Sequence, residues 1–150
     1  MELIFYTANC IGKRNNCSYP NKVVAGCAAD MDKVARFDYV CAEYTKGYRN
    51  AANFVTSNVV VMDCDNDHSD DPEEWIKPEM MEDMFPDTPY VIVPSRNNMK
   101  PKDGKTARPR WHIYFLIYPV TSAGAYTQMK RDIFNAFPFF DGNALDAARF

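Results

Sequence analysis

Val59-Val60-Val61-Met62 sets four apolar residues, three of them β-branched, directly before a segment that reads Asp63-Cys64-Asp65-Asn66-Asp67-His68-Ser69-Asp70-Asp71. Consecutive valines are stiff at χ1 and favour an extended backbone, so the run reads as a buried strand. Five aspartates follow within nine positions. Like charges this close repel one another unless they are solvated or neutralised by a cation. Strand alternation puts Asp63 and Asp65 on one side and Cys64 on the other. Two carboxylates projecting together from a strand end are a donor set for a hard divalent cation. The competing reading is an acidic, solvated loop that follows a buried strand, and Asp67, Asp70 and Asp71 in particular read as a solvated turn.

Two familiar motifs compete for the acidic segment. An EF-hand loop wants acids at its positions 1, 3, 5 and 12, which Asp63, Asp65, Asp67 and Glu74 supply. Its sixth position needs glycine and holds His68, its eighth should be apolar and is Asp70, and a strand rather than a helix precedes it. A phosphohydrolase of the haloacid-dehalogenase type also has an apolar strand followed by Asp-x-Asp, with Asp63 as nucleophile. It then expects Thr or Val where this chain has Asp67. That reading stays open as an alternative.

A second constellation lies in Arg108-Pro109-Arg110-Trp111-His112-Ile113-Tyr114-Phe115-Leu116-Ile117-Tyr118. Alternation along one strand puts Arg108, Arg110 and His112 on one face and Ile113, Phe115 and Ile117 on the core face. Two guanidiniums and an imidazole in phase form an anion site, because they pair with phosphate oxygens. The plainer reading of His112 is a half-buried histidine with its hydrogen bonds satisfied. Upstream, Ser95–Arg110 reads as a loop with six basic residues, Arg96, Lys100, Lys102, Lys105, Arg108 and Arg110. Lys100, Lys102 and Lys105 are candidate contacts to nucleic-acid phosphates, against the alternative of a solvated loop. Trp111 and Tyr114 are candidates for base stacking, although strand aromatics are more often core.

The remaining pattern places a short strand at Leu3–Tyr6, a polar loop over Asn9–Tyr19 and a helix over Ala28–Phe37 with Ala29, Val34 and Phe37 inward. Strand is expected at Phe54–Val55, Val59–Met62, Tyr90–Val93 and Trp111–Tyr118. Pro72–Phe85 reads as short helical turns broken at Pro78. Ser122 caps a helix to about Ala136, with Tyr126, Met129, Ile133 and Phe137 on one face. Strands and helices without strict alternation predict an α+β fold, with a mixed, mostly antiparallel sheet and flanking helices.

Composition narrows the class. At 150 residues the chain suits one domain, residues 1–150. The net charge of −3 limits any nucleic-acid surface to a local patch. No apolar run approaches the roughly 20 residues that span a bilayer, and the N-terminus lacks a signal-peptide pattern, so no membrane contact is expected. Five irregularly spaced cysteines without a Cys-x-x-Cys pair suit reduced thiols in the cytoplasm better than a disulfide framework or a structural zinc site.

Asp-x-Asp after an apolar strand, a basic-x-His strand entry and a later hydrophobic-Asp together resemble the archaeo-eukaryotic primase superfamily. The resemblance is closest to the primase–polymerase (prim-pol) branch of phage, plasmid and mobile-element replication proteins. The three motifs fall on Asp63-Cys64-Asp65, Arg110-Trp111-His112 and Leu145-Asp146, and the likeness runs from about Arg49 to the end of the chain. Arg110 stands where the family usually has serine. The resemblance implies an RRM-related catalytic core, with Asp63, Asp65 and Asp146 holding two Mg²⁺ or Mn²⁺ ions and His112 beside them. Arg108, Arg110 and His112 would bind a nucleoside triphosphate, with Arg49, Ser95 and Arg96 as further contacts. Its partners would be nucleoside triphosphates, a single-stranded DNA template and a helicase domain in the same or another chain. The reaction implied is template-directed nucleotidyl transfer. A third alternative is a single-stranded nucleic-acid-binding module without activity. Catalytic modules of this branch continue beyond the third motif, so the resemblance implies a portion of a larger replication protein.

Overall fold

The computed structural model describes residues 2–148. Its strands are β1 (Leu3–Thr7), β2 (Asn21–Ala25), β3 (Tyr39–Val40), β4 (Glu43–Tyr44), β5 (Phe54–Cys64), β6 (Tyr90–Pro94), β7 (Lys100–Lys102), β8 (Lys105–Arg108) and β9 (Trp111–Val120). The helices are α1 (Ala28–Val34), α2 (Met81–Met84) and α3 (Ala123–Ala136). Every strand pairing among the described residues is antiparallel. The fold class is therefore α+β with antiparallel sheets. Among the described residues no helix is long and apolar enough to cross a membrane.

A four-stranded sheet in the order β4-β5-β9-β6 forms the centre. β5 and β9 are the long members, paired from Val59↔Leu116 to Cys64↔Trp111. One face carries Val60, Met62, Trp111, Ile113 and Phe115, packed under Met81 of α2 and Tyr126 of α3. The other face carries Val59, Val61 and Tyr114, packed under Leu3 and Phe5 of β1 and Met31 and Val34 of α1. Both faces are dry, which is why Val59–Met62 is apolar at every position instead of alternating. Trp111 and Tyr114, considered for base stacking, belong to these cores and are 2% and 0% exposed. The second layer over Val59 and Val61 is a three-stranded sheet, β2-β1-β3.

Most expected elements form, with adjustments. Phe54–Val55 and Val59–Met62 are one continuous strand, and Ser122 Oγ caps α3 by accepting from Ala125 N–H at 3.3 Å. α1 stops at Val34 and buries Met31 and Val34, whereas Ala29 and Phe37 are exposed. Ser95–Arg110 is not a plain loop, because β7 and β8 fold within it as a hairpin. The hairpin turns at Asp103 and Gly104, both at positive φ (52° and 78°), the backbone that a tight two-residue connection requires.

β5 has an open edge. β4 pairs with it only as far as Thr56, so the backbone beyond has no strand on that side. Side chains and a turn take over. Tyr126 Oη donates to Val59 O at 2.9 Å, and Asp141 N–H donates to Asp63 O at 2.8 Å. Buried carbonyls need such partners. Tyr126→Phe keeps the ring in the core and removes one of them, so denaturant unfolding should show a loss of about 1 kcal/mol with the fold retained.

Candidate functional site

The site forms where β5 and β9 reach the end of the sheet. Asp63 and His112 are direct cross-strand partners, so their side chains project to the same side. Asp63 Oδ1 contacts His112 Nδ1. Asp65 lies just past the strand end, two residues on, and its Oδ2 accepts from Lys102 Nζ at 2.8 Å. Asp63, Asp65 and His112 line a cavity of about 370 Å³ together with Ser95, Arg96 and Lys102. Asp63 and Asp65, expected as metal ligands, thus share one cavity with His112, Ser95 and Arg96, expected on nucleotide, and with Lys102, expected on nucleic acid. Arg96 is tied to Asp38, whose Oδ1 accepts from Arg96 Nη2 at 3.0 Å.

Tyr39 and Tyr114 also line this cavity, with their hydroxyls 2.6 Å apart. Burial pushes the Tyr39 hydroxyl up to about 12 and the Tyr114 hydroxyl well above its ordinary value. Both stay neutral at physiological pH and present polar but uncharged groups beside the acids.

A second cavity, of about 690 Å³, shares Asp63 and Asp141 with the first and adds Arg49 and Asp146. Asp146 is exposed, and its Oδ1 accepts from Ala148 N–H at 2.6 Å. Arg49 donates to Asn16 O at 3.3 Å and stacks 5.4 Å from the Tyr19 ring centre. Asp141 lines both cavities and was not anticipated. Its sequence signal was masked by a local role, because Asp141 Oδ1 also accepts from Asn143 N–H, as the cap of a turn would.

Arg108 and Arg110 are placed differently from the expectation. Arg108 ends β8 and β9 starts only at Trp111, so the two arginines do not continue the strand face of His112. Both are 0% exposed. Arg108 Nη1 donates to the carbonyls of Asn66 and Ser69, each at 2.9 Å, and Nη2 donates to Asp70. Arg110 Nη1 donates to Lys100 O at 2.7 Å, and Nη2 reaches Asp67 Oδ1 at 3.4 Å. These guanidiniums are engaged inside the protein, apart from Arg110 Nε, which has no hydrogen-bond partner among the described residues, and neither arginine lines the cavity that holds His112. The acidic turn is solvated as expected, with Asp67, Asp70 and Asp71 exposed, and it is also bonded to the protein. Asp67 and Asp70 take the arginines, and Asp71 Oδ1 caps the turn at Pro72–Glu74 by accepting from Glu73 N–H.

Asn66 completes the knot. It is 1% exposed and sits at φ 52°, a left-handed conformation that asparagine tolerates better than most residues. Its side chain accepts from Ile76 N–H at 2.8 Å and donates to Pro109 O at 2.9 Å. The chain therefore reverses immediately after Asp65. The other hairpin lysines stay close to the protein: Lys100 Nζ donates to Arg96 O, and Lys105 Nζ to Asp67 O.

Lys130 of α3 is a further residue that the sequence did not single out. It is 0% exposed, and its Nζ has no hydrogen-bond partner among the described residues. Burial pushes its ammonium below the ordinary value of 10.5, and the Cys41 thiol, Asp63 and Asp146 act in the opposite direction. It sits at i+4 from Tyr126 on a helical face, which reads as core in sequence.

Carboxylate oxygens are the donors a hard divalent cation prefers, and Asp63, Asp65, Asp141 and Asp146 supply them around adjoining cavities. The donor chemistry fits Mg²⁺ or Mn²⁺. Among the described residues, however, no three acids, histidines or cysteines gather closely enough to hold an ion as they stand. Asp63 is engaged by His112 and Asp65 by Lys102. Comparison with protein-family models, curated proteins and solved structures finds no match to this chain. The chemistry of the site itself therefore carries the functional reading.

Two outcomes follow for the buried cations. Arg108→Ala strands the carbonyls of Asn66 and Ser69 and should cost roughly 2–4 kcal/mol in chemical unfolding. A surface-like change near zero would count against the knot. Lys130→Met removes a buried ammonium that has no hydrogen-bond partner among the described residues and only the Tyr126 ring 5.9 Å away, so it should raise stability by roughly 1–3 kcal/mol at neutral pH. Because the folded state holds this proton less tightly, the unfolded chain binds more protons just below pH 10.5, and wild-type stability rises through that window. The advantage of Lys130→Met should accordingly shrink as the pH approaches 10.5, as thermal melts across alkaline pH would show.

Proposed function

We propose that this chain binds a nucleoside triphosphate at the β5–β9 strand end and carries out template-directed nucleotidyl transfer, as a primase–polymerase-like catalytic core. One observation supports this most. Paired acids and an imidazole line one cavity with Ser95, Arg96 and Lys102, Lys102 touching Asp65 and Arg96 touching Asp38, and the cavity is large enough for a small polar ligand. A cavity that mixes carboxylates with cations suits a ligand that arrives as polyphosphate with a divalent cation.

Each residue has a task in this reading. Asp63 and Asp65 would hold the cation, with Asp146 or Asp141 entering from the adjoining cavity. The divalent ion, when bound, neutralises phosphate charge and activates the attacking hydroxyl. His112, oriented by its contact with Asp63, contributes an imidazole to the phosphate wall. Arg96 and Lys102 offset the charge of the phosphates, and Ser95 offers a hydroxyl and a loop backbone beside them. Arg49 borders the second cavity, where the attacking strand would lie. Arg108 and Arg110 act indirectly, by holding the turn that fixes Asp65. Single-stranded DNA as template and a helicase partner belong to the same proposal.

The test is nucleotide incorporation on a primed or unprimed single-stranded template with Mg²⁺ or Mn²⁺, comparing wild type with Asp63→Ala. Removing a metal ligand from a phosphoryl-transfer site removes a metal, so incorporation should fall by orders of magnitude. Circular dichroism should be unchanged, because deleting one of several clustered acids also relieves repulsion. Release of phosphate from a small phosphomonoester through a covalent intermediate on Asp63 would replace this reading with a phosphohydrolase. Single-strand binding without incorporation at any metal concentration would replace it with a binding module.

A further inference from the structure

Lys102 has two relationships that pull in opposite directions. Its Nζ lies 2.8 Å from Asp65 Oδ2, on one of the two acids that share the strand end. It also belongs to the wall of the 370 Å³ cavity that holds Ser95 and Arg96, where an anionic ligand would lie. We propose that Lys102 is an exchangeable internal cation: it fills the Asp65 carboxylate until a divalent cation arrives, and then transfers its charge to the phosphate of the bound nucleotide. This rests on the nucleotide-site reading above.

The hairpin that carries Lys102 suits such an exchange. β7 and β8 pair only with each other in the sheet topology, so moving Lys102 breaks no ladder of the central sheet. The base of the hairpin is anchored, because Arg110 Nη1 holds Lys100 O and Arg108 is buried. The tip is a two-residue turn at Asp103 and Gly104, immediately after Lys102. Lysine is also the right residue. Its ammonium is a compact charge on a four-carbon stem with no fixed fork, so it can turn between partners that arginine would hold in one geometry.

Charge decides the direction. Asp65 has a second cationic neighbour, Arg110 Nε at 3.9 Å, which is buried and cannot leave. Lys102 and Asp65 keep about a third and a quarter of their side-chain surface in water, and a pair so exposed is weak. A divalent ion that takes oxygens from Asp63 and Asp65 brings twice the charge of the ammonium and repels it. A displaced Lys102 then has two anionic partners in reach, its neighbour Asp103 and the polyphosphate that shares the cavity. Without this placeholder the in-phase acids would face each other unneutralised, apart from His112 and Arg110.

The experiment measures two affinities on the full chain. Mn²⁺ binding is titrated without nucleotide, by calorimetry or by the spin-resonance signal of free Mn²⁺, for wild type, Lys102→Met and Lys102→Arg. Binding of a non-hydrolysable nucleoside triphosphate is then measured at saturating Mn²⁺. Lys102→Met should bind Mn²⁺ roughly three- to tenfold more tightly, because a weak competing pair is gone. It should bind the triphosphate about tenfold or more weakly, because a charged hydrogen bond is gone. Lys102→Arg should bind both Mn²⁺ and the triphosphate more weakly than wild type, because its fork holds Asp65 in one geometry and leaves it less readily. Thermal melts confirm that each variant is folded. Unchanged or weaker Mn²⁺ binding in Lys102→Met overturns the exchange, and so does unchanged triphosphate affinity. A failure of the underlying site reading looks different, since Mn²⁺ would then bind neither wild type nor Lys102→Met, and that result overturns both.

Discussion

Burial of the Arg108 guanidinium is the interaction on which the rest of the site depends. A charge at 0% exposure is costly unless its donors are all used, and here they are spent on the backbone of the acidic turn, on Asp70 and on Thr106. The arginine converts a stretch of aspartates that would repel one another into a folded strap. Asn66 provides the reversal that the strap needs, in a backbone region that most side chains avoid. Asp63 and Asp65 are consequently held at the mouth of the sheet, and Asp67 and Asp70 are turned back toward the protein. The two halves of the acidic segment look alike in sequence and serve different ends.

The site that results is neutralised from within. Asp63 is met by His112, Asp65 by Lys102 and Arg110, and Lys130 adds a buried ammonium on the far side. Such a cluster can be folded and stable without a bound ion while keeping carboxylates available to one. The balance is uneven by design of position. Arg110 and Lys130 are buried and fixed, whereas Lys102 is partly in water on a short hairpin. Only the last can move without disturbing a core, which is why the site's response to a ligand is expected to pass through it.

Much of the site was legible in sequence because it is local. Asp63 and Asp65 follow their strand by alternation, and His112 falls opposite Asp63 because β5 and β9 are long, apolar and adjacent in the sheet. Arg108 and Arg110 were misread for a physical reason. Alternation continues only while the chain stays extended, and Pro109 lacks the N–H that a ladder would use. The strand breaks there, and the arginines, expected on a nucleoside triphosphate, turn inward to Asp67, Asp70 and backbone carbonyls. The β7–β8 hairpin was hidden because its strands are short and basic, without the β-branched signature of buried strands. Lys130 and Asp141 were hidden because each has an ordinary local reading, as a helix position and as a turn cap.

By itself the sequence determined the buried strands, the α+β class and the pair of carboxylates at a strand end, since each follows from the side-chain period of a few consecutive residues. The tertiary structure decided which charges meet. It brought Asp141 and Asp146 beside Asp63 from nearly eighty residues or more away, set Lys102 on Asp65, and withdrew Arg108 and Arg110 from the cavity. Those pairings depend on where separate segments come to rest, and on the cost of leaving a buried charge without a partner. No local pattern encodes either one.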